Sequence, residues 1–138
     1  MPAICEIAKE CIAEYNLEEQ IEVKAVDMFT DEWPSGHDAV FLSNIFHDWG
    51  KERCTHLGQK SFEVLPSGGR IYLHELLLED TRVSPPTLAV YSLGLSFATR
   101  GKLFTAGDLN ELLTGWGFED ISITHTYGYH SLITGRKP

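Results

Sequence analysis

Several features that would define a class of protein are missing from this sequence of 138 residues. No apolar run approaches the roughly 20 residues that a membrane-spanning helix needs, and no signal-peptide pattern is present. Basic residues are few, 11 lysines and arginines against 20 aspartates and glutamates, which gives a net charge of −9. Proteins that bind nucleic acids or anionic membranes typically have a basic surface, and this excess of acidic residues argues against one. We therefore expect a cytoplasmic protein with neither nucleic acid nor a membrane as a partner.

Cysteine is also scarce, with copies only at Cys5, Cys11 and Cys54. An odd number without regular spacing predicts free thiols in a reducing compartment rather than a disulfide framework. Cys54 and His56 could begin a metal site, but no second pair of ligands follows them. We therefore expect no bound metal.

The composition that remains, 43% hydrophobic residues, is ordinary for one globular domain. Apolar periodicity predicts the order helix, strand, strand, helix, strand, helix, helix, strand, strand. The first helix ends near Asn16, and the others cover Gly50–Leu65, Thr87–Thr99 and the segment from an N-cap at Thr105 to Gly117; the strands are Ile21–Val26, Asp38–Leu42, Arg70–Leu77, Glu119–Tyr127 and Tyr129–Arg136. Alternating strands and helices predict an α/β fold whose sheet is mainly parallel, with an antiparallel edge strand.

One stretch carries side chains suited to proton transfer, Phe46-His47-Asp48-Trp49, directly after the second predicted strand. In open α/β sheets, ligands bind at the carboxyl ends of the strands. Histidine is the side chain best suited to exchange a proton near neutral pH. From the pattern alone, two interpretations stay open: a catalytic histidine on the rim of a pocket, or a helix start on which Trp49 packs.

The sequence resembles the C-terminal half of class I S-adenosylmethionine-dependent O-methyltransferases. This group includes caffeic acid, acetylserotonin and bacterial polyketide O-methyltransferases. The matching blocks, in chain order, are Pro2–Ile4, Val26–Phe29, Phe46–Trp49, Leu65–Arg70, Leu73–Glu75, Gly101–Lys102, Phe104–Thr105, Gly117–Phe118 and Tyr129–Lys137. The His-Asp-Trp block together with the earlier Asp-Met-Phe block is a specific signal, whereas either block alone is weak.

The resemblance implies two catalytic residues. His47 matches the general base that takes the proton from the acceptor hydroxyl, and Glu75 matches the carboxylate that orients this base. Plant members have a second glutamate before the late helix, and Leu103 stands at the matching position here. One carboxylate rather than two is therefore expected to support His47.

The resemblance also implies a site for S-adenosylmethionine. Asp27 and Met28 match positions that hold the adenine, and Phe29 is expected to shape that site. Ser43 and Asn44 match positions where family members place a polar or basic side chain near the cofactor. Both residues are neutral here.

Parts of the family fold have no counterpart in these residues. The glycine-rich loop that follows the first strand is absent, since the Gly68–Gly69 pair follows a predicted helix. The N-terminal helical domain, which in the family makes a homodimer and closes the acceptor pocket, is absent too. We therefore expect residues 1–138 to be the C-terminal part of the catalytic domain. Its fold would be a partial Rossmann-like methyltransferase fold that lacks the first two strands.

The function expected from the resemblance is methyl transfer from S-adenosylmethionine to a hydroxyl of a small aromatic or polyketide-like acceptor. The chain alone is expected to be inactive and to need the missing N-terminal portion. The alternative is a degenerate, non-catalytic methyltransferase remnant or interaction module. A generic dinucleotide-binding domain is disfavoured, because the glycine fingerprint is missing.

Overall fold

Residues 2–138 are described by a computed structural model, in which one unit ends at Trp33 and a second runs from Pro34 to Pro138. In the first unit, helix α1 spans Pro2–Glu14, which confirms the predicted amphipathic helix. The prediction of a strand over Ile21–Val26 is wrong. This segment is not a strand, and its ends are 46% and 42% exposed. Its weak alternation has no neighbouring strand to pair with among the described residues.

The second unit contains the remaining elements. They are β1 (Ala39–Ser43), a 3-10 turn (Phe46–Asp48), α2 (Lys51–Val64), β2 (Arg70–Leu78), α3 (Pro86–Ala98), β3 (Phe104–Thr105), α4 (Ala106–Gly115), β4 (Glu119–His125) and β5 (His130–Arg136). Each strand and helix predicted in this part of the chain is present, with ends shifted by a few residues. None of the helices within residues 2–138 is long and apolar enough to cross a membrane.

The sheet has the order β1-β2-β5-β4, with the short β3 beside the end of β2. β1 and β3 pair in parallel with β2, whereas β5 pairs antiparallel with both β2 and β4. Strands β1 to β4 therefore point the same way, and β5 alone is reversed. The α/β class is confirmed. The sheet is less parallel than predicted, with two parallel and two antiparallel pairings. An antiparallel pair does lie at one edge of the sheet, but the reversed strand β5 is its inner member, with the fully buried Ile133, while most of the edge strand β4 is exposed.

Strand β2 organises the second unit, because it has neighbours on both sides. Its residues alternate between buried and partly buried positions. Ile71, Leu73 and Glu75 are on the buried face, and His74 is on the opposite face. The end of β2 packs in an apolar cluster with α3 and the residue before β3; its buried members are Leu78, Leu88, Leu95 and Leu103.

Candidate active site

The chain turns sharply after β1, and this turn places His47. Asn44 adopts a left-handed backbone conformation with φ of 54°, which asparagine tolerates better than most residues. Its amide N–H donates to the carbonyl oxygen of His74 at 2.9 Å, which ties the start of the turn to β2. The 3-10 turn Phe46–Asp48 follows at the carboxyl end of β1, where the sequence predicted the site.

Glu75 on β2 is the carboxylate on which this turn is built. It is 1% exposed. Its Oε1 accepts the backbone N–H groups of Ile45 at 3.0 Å and Phe46 at 2.8 Å. Its Oε2 accepts Nδ1–H of His47 at 2.6 Å. One buried side chain therefore fixes both the backbone of the turn and the orientation of the imidazole.

The second ring nitrogen of His47, Nε2, is the atom that can accept a proton from a ligand. His47 is 5% exposed, and its Nε2 makes no hydrogen bond with any described residue; the nearest carboxylate oxygen, Oδ1 of Asp48, is 3.8 Å away. No buried side-chain nitrogen or oxygen among the described residues lacks a hydrogen-bond partner. The small exposed fraction of the imidazole therefore includes Nε2. A lone pair on this atom can accept a proton.

The electrostatics around His47 favour the protonated imidazole. The hydrogen bond to Glu75 raises the pKa of His47 above its usual value. Burial acts in the opposite direction, and the negative charges of Glu75 and Asp48 add to the increase. The arrangement therefore makes His47 a stronger base than a solvated histidine.

Three further residues, none predicted from the sequence as part of the site, support the turn. The ring of Tyr91 on α3 meets the His47 ring edge-on, with centroids 6.2 Å apart. Gly101 lies so close to the carbonyl oxygen of His47 that a Cβ atom there would overlap it. The thiol of Cys54 donates to the carbonyl oxygen of Phe46 at 3.3 Å, and burial raises the pKa of this thiol to about 12.

Leu103 supplies no second carboxylate to the site. Its side chain is 1% exposed and lies in the apolar cluster beside Leu88 and Leu95. Among the described residues, Glu75 is the only carboxylate within hydrogen-bonding distance of the His47 ring.

Ser43 and Asn44 lie at the end of β1, close to His47 in sequence. Their side chains are hydrogen-bonded to two histidines of neighbouring strands. Ser43 Oγ is 3.1 Å from Nδ1 of His74, and Asn44 Oδ1 is 3.2 Å from Nε2 of His130. No local pattern predicts these pairs, because 31 and 86 residues separate the partners.

Asp27, Met28 and Phe29 belong to the first unit, where they form a tight turn. Asp27 Oδ1 accepts the amide N–H of Phe29 at 2.8 Å, and the Met28 carbonyl oxygen accepts Nε1–H of Trp33 at 3.0 Å. The other carboxylate oxygen of Asp27, Oδ2, accepts no hydrogen bond from residues 2–138. This oxygen is available to accept a donor from a ligand.

Comparisons with known proteins identify the family of the chain. A family model described as O-methyltransferase domain matches residues 1–119. The 3-hydroxy-5-methyl-1-naphthoate 3-O-methyltransferase of Streptomyces sahachiroi is 34% identical over 99% of this chain. The chain spans 40% of the length of that relative.

Two solved structures share the fold. The O-methyltransferase family 2 protein of Planctomyces limnophilus, in complex with apigenin, matches 99% of this chain with a TM-score of 0.93 and 30% identity; this chain covers 42% of it. Human N-acetylserotonin methyltransferase, in complex with SAM, matches 94% of this chain with a TM-score of 0.82 and 29% identity; this chain covers 44% of it. On these matches, the chain belongs to the O-methyltransferase domain family.

Proposed function

We propose that residues 1–138 are the C-terminal part of the catalytic domain of a cytoplasmic, S-adenosylmethionine-dependent O-methyltransferase. Its acceptor is a small aromatic or polyketide-like molecule that carries a hydroxyl group, and His47 is the general base. The observation that carries the proposal is the buried pair of His47 and Glu75, with Nδ1 and Oε2 2.6 Å apart. A structural histidine needs no such buried carboxylate, whereas a base that must keep one tautomer does.

The roles of the two side chains follow from this geometry. Glu75 holds the proton on Nδ1 and leaves Nε2 free to take the proton of the acceptor hydroxyl. Its negative charge also stabilises the imidazolium that forms. Proton removal by a positioned base contributes typically about 10²–10⁴-fold to the rate, and correct placement of the acceptor oxygen adds to this.

The residues predicted to hold the cofactor fit its chemistry. S-adenosylmethionine would supply a methyl group on a positively charged sulfur. Asp27 offers Oδ2 as an acceptor for the exocyclic amine of adenine, Met28 offers a thioether for the ring face, and Phe29 shapes the site. Ser43 and Asn44 offer polar atoms to the same cofactor. The bound SAM in the human relative supports this cofactor.

The exposed edge of β1 supports the assignment to a larger catalytic domain. β1 pairs with β2 on one side, and no strand of residues 2–138 pairs with its other side. Phe41 in this strand is 62% exposed. In the proposed enzyme, strands of the remaining catalytic domain cover this edge, and an N-terminal helical domain joins two subunits in a homodimer. The 138-residue chain alone is expected to be inactive.

The proposal is tested by methylation assays on the chain alone and on a chimera. In the chimera, the chain replaces the matching part of the Streptomyces naphthoate methyltransferase. We expect the chimera to methylate a panel of phenols, and His47→Ala to raise the barrier by about 3–5 kcal/mol. His37→Ala, at an exposed histidine, is the matched control. An unchanged rate in His47→Ala would remove the histidine from the mechanism.

The alternative is a non-catalytic remnant or interaction module, and it makes the opposite prediction. In that case a correctly folded chimera shows no methyl transfer to any phenol, and replacing His47 or Glu75 changes only stability. The buried pair favours the enzyme, because a remnant has no need for a fixed tautomer of a histidine whose Nε2 reaches solvent.

A further inference from the structure

Hydrogen bonds join five residues from the end of β1, the middle of β2 and the β4–β5 turn into a closed ring, which closes through the backbone carbonyl oxygen of His130. The members are Ser43, Asn44, His74, Thr126 and His130. His74 and His130 stack within this ring, with centroids 4.9 Å apart and planes 18° apart. Two of the members, Ser43 and Asn44, are the residues proposed to contact the cofactor. The other three have no role in the mechanism described above.

The direction of every hydrogen bond in the ring can be derived from its neighbours. The hydroxyl of Thr126 contacts the carbonyl oxygen of His130 at 3.1 Å, and a carbonyl only accepts, so Thr126 donates its single proton there. Thr126 Oγ1 must then accept from Nε2 of His74, which lies 3.0 Å away. Neutral His74 therefore carries its proton on Nε2, and its Nδ1 is an acceptor.

This tautomer determines what Ser43 presents. Because Nδ1 of His74 accepts, the hydroxyl proton of Ser43 is donated to it over 3.1 Å. Asn44 Nδ2 donates to Ser43 Oγ at 3.4 Å, while its Oδ1 accepts Nε2–H of His130 at 3.2 Å. Towards a ligand, Ser43 therefore presents a lone pair, and Asn44 presents its second amide N–H.

We propose that His74 is a positioning residue that makes Ser43 a hydrogen-bond acceptor towards the cofactor. This role rests on the proposed function, since it requires S-adenosylmethionine to bind beside these two residues. It extends that function by giving His74 a role in cofactor binding, although the His74 side chain is on the face of β2 opposite to Glu75.

The acceptor on Nδ1 of His74 is what fixes the orientation of the Ser43 hydroxyl. Without this acceptor, the hydroxyl proton of Ser43 is free to turn outwards, and Ser43 presents a donor instead of a lone pair. A side chain at position 74 that keeps an acceptor should therefore preserve cofactor binding, whereas an apolar side chain should weaken it.

The experiment uses the chimera described above, because the 138-residue chain alone is expected to be inactive. Long-range ¹H–¹⁵N NMR spectra assign the tautomer of His74, and calorimetric titration with S-adenosylmethionine at neutral pH gives the dissociation constant. His74→Asn keeps an acceptor near the position of Nδ1, whereas His74→Leu removes it. His37→Leu is the matched control at an exposed histidine.

We expect the Nε2–H tautomer. The dissociation constant should rise about fivefold or more in His74→Leu, the cost of one hydrogen bond. In His74→Asn and in His37→Leu it should change by less than about twofold, within the scatter of a single weak contact. An Nδ1–H tautomer, or equal dissociation constants in His74→Leu and His74→Asn, would overturn the inference while leaving the proposed function intact. A folded chimera that binds no S-adenosylmethionine would contradict the proposed function and, with it, the role of His74.

Discussion

At the scale of single residues, Glu75 determines more of the site than His47 does. One oxygen accepts two backbone amides of the turn, and the other fixes the proton of the imidazole. The sequence indicated Glu75 only through a family resemblance, because 28 residues separate it from His47 and nothing local joins them. The two backbone contacts of Glu75 could not be predicted at all, since they depend on the register of β1 against β2.

Glu75→Gln separates these two roles. The amide oxygen of glutamine can still accept the N–H groups of Ile45 and Phe46, so the turn should survive. The amide N–H₂ would face Nδ1 of His47, which favours a proton on Nε2 and removes the negative charge. Because Glu75 is the main cause of the raised pKa, we expect the pKa of His47 to fall in the variant. An NMR titration of the His47 ring protons measures this shift, and an unchanged pKa would contradict the role of Glu75.

Gly101 is the second residue whose identity the site requires. A Cβ atom there would overlap the carbonyl oxygen of His47, so Gly101→Ala must displace the turn. We expect a loss of about 2–4 kcal/mol in the free energy of unfolding, measured by urea denaturation. Gly94→Ala on α3 is the control: no atom lies within 4 Å of its added Cβ, and the change should stabilise the helix by about 0.5–1 kcal/mol. Equal effects of the two substitutions would contradict the close approach of Gly101 to the carbonyl oxygen of His47.

At the scale of elements, the sequence predicts reliably those structures whose side chains form hydrogen bonds with the backbone of their own segment. Thr105 and Asp108 form the capping box of α4, with the Thr105 hydroxyl accepting from the Asp108 amide at 3.1 Å, as the predicted N-cap requires. The strand predicted over Ile21–Val26 failed for the opposite reason, because a strand needs a partner that its own residues cannot supply. The inner position of β5 likewise depends on which strand buries more apolar surface, which short-range patterns do not reveal.

An ion pair also stabilises the start of α4. The two terminal nitrogens of the Arg82 guanidinium donate to the two carboxylate oxygens of Asp108 at 2.7 and 2.8 Å. The Arg82 hydrogen bond is the main cause that lowers the pKa of Asp108 to about 2, from its ordinary value of 3.8. The pair should therefore contribute its full stability above about pH 4 and lose it as the pH falls through 2.

Arg82→Gln tests this ion pair. We expect the variant to unfold at a lower urea concentration than the wild type at neutral pH, and the difference to shrink as the pH is lowered towards 2. Lys102→Gln is the control, since it removes the same charge from an exposed residue that makes no ion pair with the described residues. A difference that stays constant at all pH values would show that Asp108 is not the partner that matters.

At the scale of the whole molecule, the main feature is the strand edge that β1 leaves without a partner among residues 2–138. An exposed edge with an apolar side chain is a template for pairing with another chain. The sequence predicted this feature only through the resemblance, which implied that strands beside β1 are missing. The assignment of residues 1–138 to the C-terminal part of a catalytic domain stays a prediction.

The exposed edge predicts self-association of the 138-residue chain. Phe41→Lys places a charge on β1, and we expect it to lower the concentration-dependent light scattering of the chain. Phe97→Lys is the matched control, because Phe97 is also strongly exposed but lies on α3, away from any strand edge. Equal effects of the two substitutions would attribute the association to general surface hydrophobicity rather than to β1.

The most direct test of the mechanism is the single-turnover rate of methyl transfer as a function of pH, measured in the chimera. A base whose pKa lies above its usual value predicts a rate that rises with pH and levels off above about pH 6.5, the ordinary value for histidine. In His47→Gln this dependence should disappear, and the remaining rate should be about 10²–10⁴-fold lower. A profile that keeps its shape and its plateau rate in His47→Gln would contradict the assignment of His47 as the group that takes the proton.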